Sequence, residues 1–144
     1  MSDPAQRPVP VPDEHSAAFW EAAREHRFTV ARCAACETLV VAPDDVCAHC
    51  GSVEPAFEFE PVSGRGTVRS WAVVHQSLLG GFDVPFIVVD VELAEQADLR
   101  VLGRLLDGPD ADVHLGADVT VTFEDLPDGF SVPAFVLTDE AGAA

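Results

Sequence analysis

Cys33-x-x-Cys36 and Cys47-x-x-Cys50 are the residues whose type and spacing most directly specify chemistry in this chain. Each Cys-x-x-Cys unit folds as a tight knuckle, and the ten residues between the two knuckles suffice for a loop that returns one onto the other. Four thiolates at about 2.3 Å satisfy a tetrahedral Zn²⁺. An iron centre of similar geometry, or redox or disulfide use, are the alternatives. Four protein thiolates leave no open position for water or substrate, so the metal reads as structural, folding a segment with too little core to fold alone. Gly51 after Cys50 supplies the positive φ such knuckles want, whereas Glu37 after Cys36 is expected to cost about 1 kcal/mol there. Arg32, beside Cys33, is placed to screen the net negative charge of a tetrathiolate centre. His49 lies within a knuckle and is a competing donor that four cysteines make unnecessary.

Little else has the pattern of an active site. His15, His26, His49, His75 and His114 are scattered, with no Ser, Cys or Asp partner at a known motif spacing. His75 at a strand end is the one histidine worth weighing, and a lone strand-end His is more often structural. There is no phosphate loop, no G-x-S-x-G and no dinucleotide fingerprint, so no catalytic residue is assigned. Ser63-Gly64-Arg65-Gly66 reads as a turn into a strand. The segment from Gln76 to Pro85 is less ordinary, because it carries Leu78, Leu79 and Phe82 around Gly80-Gly81. These side chains either cap one end of the fold or form a sticky surface for a partner protein or an acyl chain.

The positioning elements follow from pattern. Residues 1–12 hold Pro4, Pro8, Pro10 and Pro12 and read as an extended arm. A helix is expected over 13–28, with Asp13 as N-cap and alanines carrying it to about Arg27. Phe19 and Trp20 on it either dock the helix or pack on another protein. The zinc ribbon occupies 29–55. Over 56–138 the texture is β, with strands expected at Gly66–His75, Phe86–Ala94, Leu99–Leu106, Asp118–Phe123 and Val132–Leu137, a bulge or bend at Gly103, and a short helical turn at Ala111–Leu115. Five such strands fit a Greek-key barrel of the OB type, making the chain mainly β with an N-terminal helix. Residues 139–144 read as a frayed tail.

Composition narrows the function. The 144 residues carry 25 carboxylates against 8 cations, a formal charge of −17, and every cation is Arg. A phosphate backbone needs a basic footprint, so autonomous nucleic-acid binding is disfavoured, as is binding to an anionic membrane. No run reaches the roughly 18 apolar residues of a membrane span, and the start of the chain has no secretory pattern, so a soluble, cytoplasmic protein is expected.

Phe19-Trp20-Glu21, Arg32-Cys33-x-x-Cys36, Cys47-x-x-Cys50, Ser63-Gly64-Arg65-Gly66-Thr67-Val68, Pro85-Phe86, Gly116 before Val119, and Val132-Pro133-Ala134-Phe135 together resemble the DUF35 family. The resemblance covers about residues 13–137. The sequence departs from the family pattern at Glu37, where Gly is common, and at Val40-Val41-Ala42-Pro43, where an aromatic-Pro-Pro stretch is usual. It implies a rubredoxin-like zinc ribbon followed by an OB fold, in a non-catalytic accessory subunit of an acyl-CoA enzyme. The implied partner is thiolase-like, of the lipid-transfer-protein aldolase type, acting in a retro-aldol or Claisen step such as steroid side-chain degradation. A MaoC-like hydratase or a polyketide acyltransferase complex is the alternative. Coenzyme A is a polyanion, so this acidic chain would share it with the partner and commit its few arginines to it. Arg65 and Arg69 share one strand face, as do Arg100 and Arg104, and are candidates for CoA or partner contact. Solvated strand faces paired with nearby carboxylates are the competing explanation.

Overall fold

The computed structural model describes residues 7–138. Among these residues a single α-helix, α1 (Ala17–Arg24), leads into β1 (Thr29–Arg32), β2 (Leu39–Val40) and β3 (Glu58–Pro61). The remaining strands are β4 (Arg65–Val74), β5 (Phe86–Leu93), β6 (Arg100–Leu105), β7 (Asp118–Asp125) and β8 (Ser131–Leu137), with a 3₁₀ turn at Pro127–Gly129. The first three strands form a sheet ordered β2-β1-β3, and the last five close a barrel ordered β4-β5-β6-β8-β7. All neighbours in the barrel are antiparallel except β6 and β8, whose parallel pairing at Leu105 and Phe135 closes it. The five strands expected over 56–138 are the five barrel strands. β3, within the stretch assigned to the barrel, instead pairs with β1 from Thr29↔Pro61 to Arg32↔Glu58 and completes the ribbon sheet.

The helix is shorter at both ends than its alanines imply. Its N-cap is Ser16. Asp13 caps the turn before it, its Oδ1 accepting the N–H groups of His15 at 3.0 Å and Ser16 at 2.9 Å. The helix stops because His26 takes a left-handed conformation with φ 58°. The N–H of Arg27 then bonds to Ala22 O and that of His26 to Ala23 O, the paired return bonds of a Schellman cap. A non-glycine residue is held there by tertiary contacts: the His26 ring stacks on Phe123 at 5.1 Å, and its Nε2 lies 2.7 Å from Asp125 Oδ1.

Gly103 makes no bulge, since β5 and β6 pair without interruption from Ile87↔Leu105 to Glu92↔Arg100. Its glycine is required by packing, because a Cβ at this position would come within 2.8 Å of the fully buried Phe135 ring. The bulge lies in β4, where pairing passes from Val68↔Val91 to Ser70↔Asp90 and leaves Arg69 as the extra residue. Residues 111–115 form no helical turn. Val113 packs on the core, and the segment runs into the turn at Leu115-Gly116 that feeds β7.

Ribbon and barrel share one core. Phe28, Val30 and Leu39 from the ribbon side cluster with Val68, Ile87, Val89, Val91, Leu105 and Phe135 of the barrel. At the barrel mouth Glu124 Oε1 accepts from Arg104 Nη2 at 2.5 Å and from Arg7 Nη1 at 2.9 Å, which ties the start of the described chain to the wall. Burial alone would raise the Glu124 pKa, but hydrogen bonds from Arg104 and then Arg7 outweigh it and hold the carboxyl below its ordinary 4.5.

Two outcomes follow for stability. Gly103→Ala should destabilise the fold by about 1–3 kcal/mol through overpacking against Phe135, read as a lowered Tm with zinc content unchanged. A carboxyl whose folded pKa is depressed contributes stability that is present above its unfolded pKa and lost as pH falls through the folded value. Acid titration should therefore show the Glu124 contribution fading below about pH 4.5, and Glu124→Gln should flatten that limb of the profile.

Candidate metal centre and partner-facing surface

The two knuckles meet as near copies of each other. In the first, Glu37 N–H bonds to Cys33 O at 2.8 Å and Cys33 N–H to Thr38 O at 3.0 Å. In the second, Gly51 N–H bonds to Cys47 O at 2.8 Å and Cys47 N–H to Ser52 O at 3.0 Å. Both turns need a left-handed residue, and Glu37 (φ 65°) and Gly51 (φ 77°) occupy the equivalent positions. The Arg32 guanidinium supports the costlier one by donating to Glu37 O at 2.7 Å. Its other nitrogens form a fork on Glu60, so this arginine is committed to β3 and the knuckle backbone.

Cys33 and Cys50 sulfurs lie 3.9 Å apart and those of Cys36 and Cys47 3.8 Å apart, and all four lie within 4.8 Å of one another. A disulfide would need about 2.05 Å. Bonds of about 2.3 Å to a tetrahedral ion put sulfurs about 3.8 Å apart, so the donor set fits a structural Zn²⁺. The crowding also splits the thiols. The Thr38 hydroxyl, and then its N–H, pull Cys36 down to about 5. Cys50 is pushed up to about 11: the Ser52 N–H acts to lower it but is outweighed by burial and by Cys36, Cys47 and Cys33. His49 is not one of the four clustered donors; its Nδ1 lies 3.2 Å from Thr38 Oγ1, and its side chain adds a smaller pull that lowers Cys36.

The other expected contact residues are dispersed. Phe19 and Trp20 are half-buried, Phe19 against Phe28 and Phe59 and Trp20 against Phe130, with ring centroids 6.2–6.5 Å apart. In the loop between β4 and β5, Leu78 is 96% and Leu79 57% exposed. Phe82 folds back, stacked on Phe86 at 5.4 Å with the Arg7 guanidinium 4.6 Å above it. Arg69 pairs with Glu92, Arg100 with Asp90, and Arg104 with Glu124. Arg65 lines an open groove of about 770 Å³ with Thr67, Gln96, Asp118 and Thr138. It has no carboxylate within 4 Å among the described residues. His75 is exposed at the end of β4.

Gln96, between β5 and β6, carried no signal in the sequence. Its amide accepts Leu39 N–H through Oε1 and donates to Leu39 O through Nε2, both at 2.9 Å, so it extends the ribbon's short strand from the barrel side. No spacing rule reveals such a pairing between residues 57 positions apart. Among the described residues, no helix is long and apolar enough to cross a membrane.

A zinc ribbon packed on a closed five-stranded OB barrel is thus the class of protein that the fold and the tetrathiolate site define. The ribbon matches the family model "ChsH2, rubredoxin-like zinc ribbon domain" over residues 20–55, and the barrel matches "ChsH2, C-terminal OB-fold domain" over residues 59–124. A DUF35 domain-containing scaffold protein of Methanocaldococcus jannaschii is 32% identical, the match covering 68% of this chain and 71% of that protein. The chain belongs to the DUF35 family.

It is also similar to the 3-oxo-4,17-pregnadiene-20-carboxyl-CoA hydratase alpha subunit of Mycobacterium tuberculosis, 33% identical over 88% of this chain. A probable enoyl-CoA hydratase alpha subunit of Thermomonospora curvata is 32% identical over 91% of it. The chain spans about two fifths of the length of these two relatives, 39% and 40%. Among solved structures, a chain of an Ltp2-ChsH2(DUF35) aldolase superposes with a TM-score of 0.77 at 29% identity, covering 90% of this chain and 98% of that one. A DUF35 protein from Sulfolobus solfataricus shares the fold, with a TM-score of 0.58 at 12% identity.

Purified protein should hold one equivalent of zinc. Cys47→Ser should lose it together with the ribbon fold, as read by metal analysis and circular dichroism, whereas His49→Ala should keep full zinc. Less than about half an equivalent, with folding indifferent to chelator, would rule out a structural metal.

Proposed function

We propose that this chain is a non-catalytic accessory subunit that docks on a thiolase-like, lipid-transfer-protein-type enzyme and supports its acyl-CoA binding in a retro-aldol or Claisen-type step, of the kind used in steroid side-chain degradation. The observation that carries this reading is the likeness, over nearly the whole of both chains, to the DUF35 chain of an Ltp2-ChsH2(DUF35) aldolase. The metal centre agrees with it, because four thiolates fill the coordination sphere and leave the zinc a folding role. The exposed Leu78 and Leu79 supply an apolar surface of the kind that a partner covers.

On this reading the arginines divide. Arg69, Arg100 and Arg104 already have carboxylate partners, so each would have to exchange one to meet a CoA phosphate. Arg65, in its groove, faces no such competition among the described residues and is the first candidate for CoA or partner contact. A second reading is an accessory role toward a MaoC-like acyl-CoA hydratase, favoured by the two relatives that are hydratase alpha subunits.

Co-expression with the thiolase-like enzymes of its own genome should yield a stable hetero-oligomer that cleaves or condenses an acyl-CoA. Leu78→Asp and Leu79→Asp, which touch no core, should keep the Tm and weaken the complex at least tenfold. The aldolase-type reading fails if every such enzyme is equally soluble and active alone, and a complex formed only with a hydratase selects the second reading.

A further inference from the structure

From Pro61 to Phe82 there is no Asp or Glu, the longest such stretch in a chain with 25 carboxylates. It contains β4, and β4 has an open edge. Its outer side pairs with β7 only from Arg65↔Thr120 to Thr67↔Asp118, and the bonds between Val68 and the Gly116-Ala117 turn end that seam. Beyond it, β4 is paired among the described residues on one side only, with β5, from Ser70↔Asp90 to Val74↔Phe86. Hydrogen-bonding direction alternates along a strand, and the bulge at Arg69 resets it. Val68 directs its N–H and C=O toward the β7 side. After the bulge Ser70, Ala72 and Val74 direct theirs toward β5, which leaves those of Trp71 and Val73 on the open edge. The same two residues expose apolar side chains, Trp71 at 40% and Val73 at 41%.

We infer that the Ser70–Val74 edge of β4 is the contact surface for a second copy of this chain, added antiparallel about a two-fold axis at Ala72. The edge is self-complementary in that register. Trp71 stands opposite Val73 of the second copy, as a hydrogen-bonded pair that exchanges both N–H···O bonds, and the symmetry repeats it. Ala72 meets its own copy at the non-hydrogen-bonded position, where Cα atoms approach to about 4.5 Å and a small side chain is needed. On one face Trp71 packs on Val73, an aromatic and β-branched cross-strand pair. Arg69 and His75 flank the seam, so no carboxylate meets a carboxylate across it. Moving the axis to Trp71 sets Val73 against Arg69, and moving it to Val73 sets Trp71 against His75, which forfeits the apolar pair. Elsewhere the surface carries the charge of −17. Two copies repel over most of their approaches and are left this neutral one.

The test is the mass in solution of the full-length, zinc-loaded chain by analytical ultracentrifugation. A species of about twice 15.3 kDa is expected at about 100 µM, its share growing with concentration and as NaCl rises from about 0.05 to about 0.5 M, which screens the repulsion. Val73→Pro removes an edge N–H that no intrachain bond uses, and Trp71→Lys sets new cations on the seam. Each should raise the dimer Kd at least tenfold with zinc content unchanged, and the second variant decides the matter if the first does not fold. A chain that stays monomeric at about 100 µM in about 0.5 M NaCl overturns the inference, as does a dimer indifferent to both substitutions. Amide exchange at Trp71 and Val73 that slows only when an acyl-CoA enzyme is added overturns it too, and assigns the edge to that enzyme.

Discussion

Four thiol sulfurs gathered within 4.8 Å of one another cannot all ionise without a cation among them. The rest of the N-terminal half depends on that constraint, because the ribbon sheet is small and β2 is only two residues long. Closing both knuckles on one ion fixes β1 and β2 in register, and β2 then delivers Leu39 into the shared core. The amide of Gln96 completes the arrangement by bonding both backbone groups of Leu39 from the barrel side. A metal site with no reacting ligand thus sets how the ribbon sits on the barrel.

The barrel meets the acidic composition in an economical way. Most arginines of the chain stand within 4 Å of a carboxylate, and Arg7 and Arg104 share Glu124 at the barrel mouth. Exposed pairs of this kind contribute little individually. Their consequence is functional, since a chain that commits its cations internally has few left for a polyanion. Under the proposed accessory role, a CoA thioester would be shared with another subunit, and the apolar surface around Leu78 and Leu79 lies in the one long stretch free of carboxylates.

Where sequence and structure part company, a tertiary contact outweighs a local preference. The helix has the alanines to run to Arg27, yet His26 pays for a left-handed cap because stacking on Phe123 and a bond to Asp125 hold it there. Gly103 has the look of a bulge and is instead the clearance for the Phe135 ring, while the bulge falls at Arg69, a residue with no conformational signature. Asp13 caps, as its type implies, one turn early. The two pairs of strand arginines were legible as candidates for contact, but the carboxylate partners of three of them, Arg69, Arg100 and Arg104, lie 10 to 23 positions away and depend on strand register.

The sequence by itself determined the metal ligands, the five barrel strands and the family, because knuckle spacing, runs rich in Val, Leu, Ile and aromatics between turn residues, and motif order are local properties that survive without coordinates. Only the tertiary structure decided which glycine was steric, which strand completed the ribbon sheet, how Gln96 joins the two parts, and that β4 keeps one edge open beyond Val68 among the described residues. Each of these depends on which residues are neighbours across a closed barrel, and closure brings together positions that no local pattern relates.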